Sequence, residues 1–292
     1  MRPFSTRIVP LRGVRYHLYV WGEALPAEAP TLLCLHGWGD LGASFQFLVD
    51  ALPADWRILA PDWRGFGRSQ HNAGPYWFPD YLGDLDALLE WISPDQPVNL
   101  LGHSMGGIVA SLYAGIRPLR INRLILLEGL VLWSEKPERS PERCAAWLDA
   151  LRKEDVHFRS YSSPDEFAAR LCRDNPRLSP ERARFIATHA VIETPEQRFV
   201  FSADPKHRWP TPALFPLADA QACWRAVRAP TCSLLGDDSS IMRHCLAKPE
   251  EYAARRACFR TLQEVTIADC GHNLHHDQPA CVAAHIVDLM RS

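Results

Sequence analysis

The sequence predicts an α/β protein: a mostly parallel sheet flanked by helices, interrupted once by a helical insertion. Three observations carry this. Short runs of apolar, β-favouring residues alternate with helical patterns through about the first 130 residues. Those runs are apolar on both faces, as strands of a sheet covered on both sides must be. The alternation stops at Trp133 and resumes near Pro230.

Taken in order, Ile8–Pro10 and Val14–Trp21 read as an antiparallel pair turning at Arg12 and Gly13. Thr31–Gly37 is a strand, Ala43–Leu52 a helix and Arg57–Asp62 a strand, with a helix near Pro79–Trp91. Pro97–Ser104 makes the fifth strand, a helix runs to about Arg117, and Arg123–Leu130 makes the sixth strand. From Trp133 to about Trp224 the chain is rich in Arg, Glu, Asp and Pro. Helices are expected there at Pro141–Lys153, Pro164–Cys172 and Pro180–His189, with no strong strand, and the proline-dense SADPKHRWPTPALFP reads as ordered loop. Pro230–Asp237 and Leu262–Asp269 are the last strands, with helices around Pro249–Phe259 and from Pro279. The expected organisation is a core of residues 1–132 and 226–292 with a helical insertion over 133–225.

Composition narrows the function classes. The 292 residues suffice for one sizeable core plus a lid or small second domain. A net charge of -2 gives no electrostatic case for nucleic acid or an anionic membrane surface. The nine cysteines are scattered, odd in number and without a Cys-x-x-Cys, which suits free thiols in a reducing compartment. The N-terminus carries no apolar targeting stretch and no run approaches a membrane span. The expectation is a soluble cytoplasmic protein, a monomer or homodimer.

Ser104 is the centre of Gly102-His103-Ser104-Met105-Gly106, between the fifth strand and the next helix. A turn tight enough to expose a serine there crowds the positions two before and two after it, so both must be very small. The competing reading is a glycine turn that only lets strand and helix pack closely. The His36-Gly37-Trp38-Gly39-Asp40 segment ends the third strand, where a second N–H donor for an oxyanion would lie; the donors would be the amides of Trp38 and Met105. Read alone, that segment is also a glycine turn entering a helix.

Twelve histidines compete for the role of base. His272 fits best, after the last predicted strand and before the last helix. His275, His276 and His285 read as surface or capping groups, and a zinc cluster of His272, His275, His276 and Asp277 matches no usual ligand spacing. Trp38, His103, Trp63 and Trp133 are candidates to line a substrate pocket, with Trp77, Phe78, Trp147 and Trp209 behind them. Each tryptophan can equally be core. Asp62 and Arg64 read as an internally paired turn, with Gly65 and Gly67 at special backbone angles.

The conjunction of the His36–Gly39 loop, Asp62-Trp63-Arg64-Gly65-Phe66-Gly67-Arg68-Ser69, the Ser104 elbow and Gly271-His272 with Asp277-Gln278-Pro279 resembles the α/β-hydrolase fold superfamily. GWGDLGASFQFLVDAL, PDWRGFGRS and YWFPDYLGDLDALL are similar to the serine hydrolase-like proteins within it. The resemblance implies an α/β-hydrolase fold with a helical cap inserted after the sixth strand, and hydrolase chemistry. It also exposes a departure. Where the family usually has a glycine, two variable residues and the triad acid, this chain reads Gly236-Asp237-Asp238-Ser239. Asp238, one place early, is the favoured acid and Asp237 a lesser one. Glu128, at the end of the sixth strand, is the other candidate, as in members that draw the acid from that strand. A carboxylate ending an apolar strand needs a partner.

The leading expectation is serine-dependent hydrolysis of a small apolar carboxylic ester, with no metal or organic cofactor implied. Carbon–carbon cleavage of a ring-fission product and a non-catalytic binding protein on the same fold are the alternatives. Dehalogenase and epoxide hydrolase chemistry needs a carboxylate where Ser104 stands.

Overall fold

A computed structural model describes residues 1–132, 136–153 and 156–291. β1 (Phe4–Leu11) and β2 (Val14–Trp21) form the antiparallel hairpin. β1 begins four residues before the sequence expectation because its first half is mostly solvent-exposed and carries no apolar period. Phe4 packs edge-on against Tyr19 and Trp21, while Thr6 and Arg7 face solvent.

Then follow β3 (Thr31–Leu35), α1 (Gln46–Ala51), β4 (Arg57–Pro61), α2 (Phe78–Ile92), β5 (Val98–His103), α3 (Met105–Ile116) and β6 (Ile121–Leu127). The helix expected from Ala43 opens as a 3₁₀ turn, Gly42–Phe45, before α1. α2 starts at a proline-bearing first turn and buries Tyr81, Leu85, Leu88 and Leu89, one stripe at helical spacing.

After β6 come α4 (Ser140–Leu151), β7 (Ser160–Tyr161), α5 (Pro164–Asp174), α6 (Pro180–Ala190), β8 (Val191–Glu193), β9 (Phe199–Phe201) and α7 (Leu217–Ala226). Ser163 and Ser179 cap α5 and α6 by accepting from the backbone N–H of Glu166 and Arg182. A small antiparallel sheet, β7-β9-β8, corrects the expectation of no strand here. Its strands are two or three residues long, too short to register as a periodicity. α7 packs on α3, with Trp224 Nε1 donating to Ser111 Oγ at 3.0 Å.

The chain closes with β10 (Thr231–Gly236), α8 (Ser240–Leu246), α9 (Pro249–Arg256), β11 (Leu262–Ile267), α10 (Leu274–Asp277) and α11 (Pro279–Arg291). The large sheet runs β1-β2-β4-β3-β5-β6-β10-β11 and is parallel from β4 to β11. Alternate residues of its strands feed two cores. Leu33, Leu35, Leu100 and Leu126 go to one face, and Leu32, Cys34, Leu101 and Leu127 to the other. The central strands therefore read as unbroken apolar runs. Among the described residues no helix is long and apolar enough to cross a membrane.

Candidate active site

Ser104 joins β5 to α3 with φ +50°, a left-handed conformation for a residue with a side chain. The two glycines beside it are required by contact. A Cβ on Gly102 would lie 2.4 Å from the Gly106 carbonyl oxygen, and one on Gly106 would lie 2.3 Å from that of Leu35. The Ser104 amide donates to Leu127 O at 2.9 Å, pinning the turn to the end of β6.

Glu128 follows at once, fully buried and also at φ +50°. Its carboxylate accepts three hydrogen bonds. Oε1 takes the Gly236 N–H at 2.9 Å, and Oε2 takes Ser239 Oγ at 2.7 Å and His272 Nδ1 at 2.5 Å. Because a carboxylate only accepts, the His272 proton lies on Nδ1 and leaves Nε2 as the free lone pair. Asp238, the favoured candidate, is paired elsewhere. It is exposed and paired with Arg177 at 2.7 Å and Arg243 at 2.6 Å, which hold its carboxyl below the usual range. Asp237 is spent on the backbone N–H groups of Asp269 and Cys270. Ser239, in the position where an acid was expected, instead donates to Glu128. Sequence reading missed that role, although a serine standing where a carboxylate was expected was its signal.

A cavity of about 370 Å³ opens on Ser104 and Met105, walled by Trp38, Tyr76, Phe78, Ile108 and Phe215 among others. Its lining is mostly apolar and aromatic. Trp38 is 54% exposed, and the Gly37 backbone before it runs so close that a Cβ there would lie 3.1 Å from Ser104 Cβ. Met105 N–H is the first of α3 and has no partner inside the helix. A second cavity of about 260 Å³ reaches His272, His103 and Trp38 from the side of α5 and α6.

Other expected pocket residues lie elsewhere. Trp63 is fully buried, its indole N–H donating to His36 O at 2.9 Å and its ring edge-on to Tyr81. It is core because both its polar and apolar surfaces are consumed there. His103 sits beneath Ser104 and does not line the Ser104 cavity. It holds the His272 carbonyl from Nε2 at 2.9 Å, and burial and the neighbouring His275 and His272 push its imidazole well below the ordinary value. Trp133 lies outside the described residues.

His275 and His276 are buried, not surface groups, because α10 turns them inward under the loop after β3. The quartet of His272, His275, His276 and Asp277 is not assembled. Asp277 takes the Gly271 N–H at 2.9 Å and Asn175 Nδ2 at 2.6 Å, and His272 faces Glu128. Asp62 accepts from Gly42 N and Arg68 N at 2.8 and 2.9 Å. Arg64 pairs outside its own turn, gripping Asp84 of α2 at 2.5 and 2.6 Å. Gly65 and Gly67 do hold positive φ, +75° and +56°.

A family model described as the alpha/beta hydrolase fold matches residues 30–279. A serine hydrolase-like protein of Danio rerio is 30% identical over 310 aligned positions, covering 100% of this chain and 92% of that protein. The 3-hydroxybutyrate-oligomer hydrolase of Cupriavidus necator is 27% identical, with 94% and 91% covered. Among solved structures, the thioesterase domain from the curacin biosynthetic pathway superposes with a TM-score of 0.85 at 27% identity, covering 98% of this chain and 99% of that one.

Proposed function

The chain belongs to the α/β hydrolase fold family, and from that premise we propose that it hydrolyses small apolar carboxylic esters through an acyl-enzyme on Ser104. The buried Glu128–His272 pair carries the reading, because a carboxylate accepting from His272 Nδ1 leaves Nε2 free to act as the base. Glu128 holds the Nδ1-protonated tautomer and stabilises the imidazolium as His272 Nε2 takes the Ser104 proton. Ser104 Oγ attacks the ester carbonyl, and the amides of Trp38 and Met105 receive the oxyanion. His272 returns the proton to the leaving alcohol. Water activated by the same nitrogen then releases the acid.

The apolar wall around Ser104 supports an acyl group without charge. The relative named for hydrolysing 3-hydroxybutyrate oligomers supports ester chemistry. We read the insertion as a cap, since Lys206, Trp209 and Phe215 wall the cavity opposite α3. The test is hydrolysis of p-nitrophenyl butyrate by the wild type and by Ser104→Ala, with fluorophosphonate labelling of both. The variant is expected to lose labelling and at least roughly 10³-fold in kcat/KM. Equal hydrolysis by the two proteins overturns the proposal.

A further inference from the structure

Beside the loop that carries His272, three side chains that the ester reaction does not use converge from two parts of the chain. Asp40 lies in the loop after β3, and His275 and His276 lie in α10. One ligand atom from each lies within 4.8 Å of the others. Asp40 Oδ2 stands 3.4 Å from His275 Nε2. Ligands about 2.0–2.2 Å from a tetrahedral ion sit roughly 3.3 Å apart, so this pair already has a coordination-shell spacing.

Two further observations point to a ligand. His275 is fully buried and His276 is 6% exposed, and His276 Nε2 has no hydrogen-bond partner among the described residues. Buried polar atoms of that kind are rare without an unseen partner. Asp40, in turn, meets Ser44 Oγ at 2.8 Å and imidazoles, but no Lys or Arg among the described residues. It has no direct ion pair with a permanent cation, the Arg182 guanidinium being bonded to the His276 carbonyl at 2.6 Å. Asp40 and His276 also line the cavity of about 260 Å³. That cavity is a route for a hydrated ion and room for a water in a fourth position.

We propose that Asp40, His275 and His276 form a binding site for a divalent transition-metal ion of the zinc type. Two imidazoles and one carboxylate suit zinc or cobalt better than calcium or magnesium, which prefer all-oxygen shells. Glu128 and Ser104 are not among the site's ligands, although the cavity it opens on also reaches His272. Its ligands would tie α10 to the loop after β3.

The test is cobalt(II) titration of the metal-stripped full chain carrying Ser104→Ala, so that binding is read independently of any hydrolase activity. Visible absorption and calorimetry follow the binding. One ion is expected, with the d–d bands of nitrogen and oxygen ligands and no thiolate charge-transfer band from the free cysteines. His276→Gln and, separately, Asp40→Asn are each expected to weaken binding at least tenfold, no less than the loss of an outer-sphere partner. Thermal melting of both variants establishes that they fold, and whichever folds suffices for the test. Absence of binding, a thiolate band as the sole signal, or unchanged affinity in a folded variant overturns the proposal.

Discussion

Glu128 and Ser104 share an unusual backbone state, each at φ +50° without being glycine, at the ends of neighbouring strands β6 and β5. A side chain held there costs on the order of 1–3 kcal/mol, so its surroundings must over-determine it. For Glu128 they do, through the donors Gly236, Ser239 and His272 and its own amide on Leu234 O at 3.0 Å. Replacing only the charge tests the role. Glu128→Gln keeps the volume but offers His272 an amide, and kcat/KM for p-nitrophenyl butyrate should fall by about 10³–10⁴-fold. Asp238→Asn removes two exposed ion pairs, each worth about 0–1 kcal/mol, and should change the rate by less than about threefold. The reverse ranking would assign the role to Asp238. Spacing alone could not decide between them. One residue of register in the turn after β10 sets which side chain faces His272, and that register depends on Asp237 bonding to Asp269 and Cys270.

At the scale of elements, close backbone approach explains what was legible and what was not. The β5 turn and α3 could be read because their glycines are local demands, adjacent in sequence to Ser104. The strands β3 to β6, β10 and β11 could be read because burial on both faces makes them continuous apolar runs. α7 was not separable from the insertion before it, since its reason to exist is distant. Gly115 of α3 lies so near α7 that a Cβ would sit 1.9 Å from the Cys223 carbonyl oxygen. By that packing we propose that the insertion ends before α7, not at residue 225. Gly115→Ala must push the two helices apart and should cost about 2–3 kcal/mol, roughly 3–5 °C in Tm for a chain of 292 residues. Gly74→Ala, whose Cβ meets nothing within 4 Å, is the control and should leave Tm within about 2 °C. A Gly115→Ala protein melting with the wild type would mean that α7 shifts freely.

For the whole molecule, the question is how the insertion stays seated on the sheet. Asp204 donates its amide to Gly65 O at 2.7 Å, and Tyr76 OH donates to the Asp204 carboxylate at 2.9 Å. His207 is sandwiched between Phe66 and Tyr76, with ring centroids 3.9 and 3.7 Å away, and it meets Arg64 O at 3.2 Å. Burial lowers this imidazole to about 4, against the hydrogen bond to Arg64 and the charge of Asp204, which favour the proton. The unfolded histidine titrates near 6.5. Between those values the unfolded chain binds a proton that the folded one refuses. The contribution of His207 is therefore complete above about pH 6.5 and declines as pH falls through that window. The decline is about 1.4 kcal/mol per pH unit, or about 2 kcal/mol at pH 5. His207→Gln cannot titrate, although it forfeits the ring stacking and melts lower at pH 7.5. Its deficit in Tm relative to the wild type should shrink steadily between pH 6.5 and 5. A deficit that stays constant across that range would show that His207 enters the fold with its proton, and that acid does not loosen the insertion through this contact.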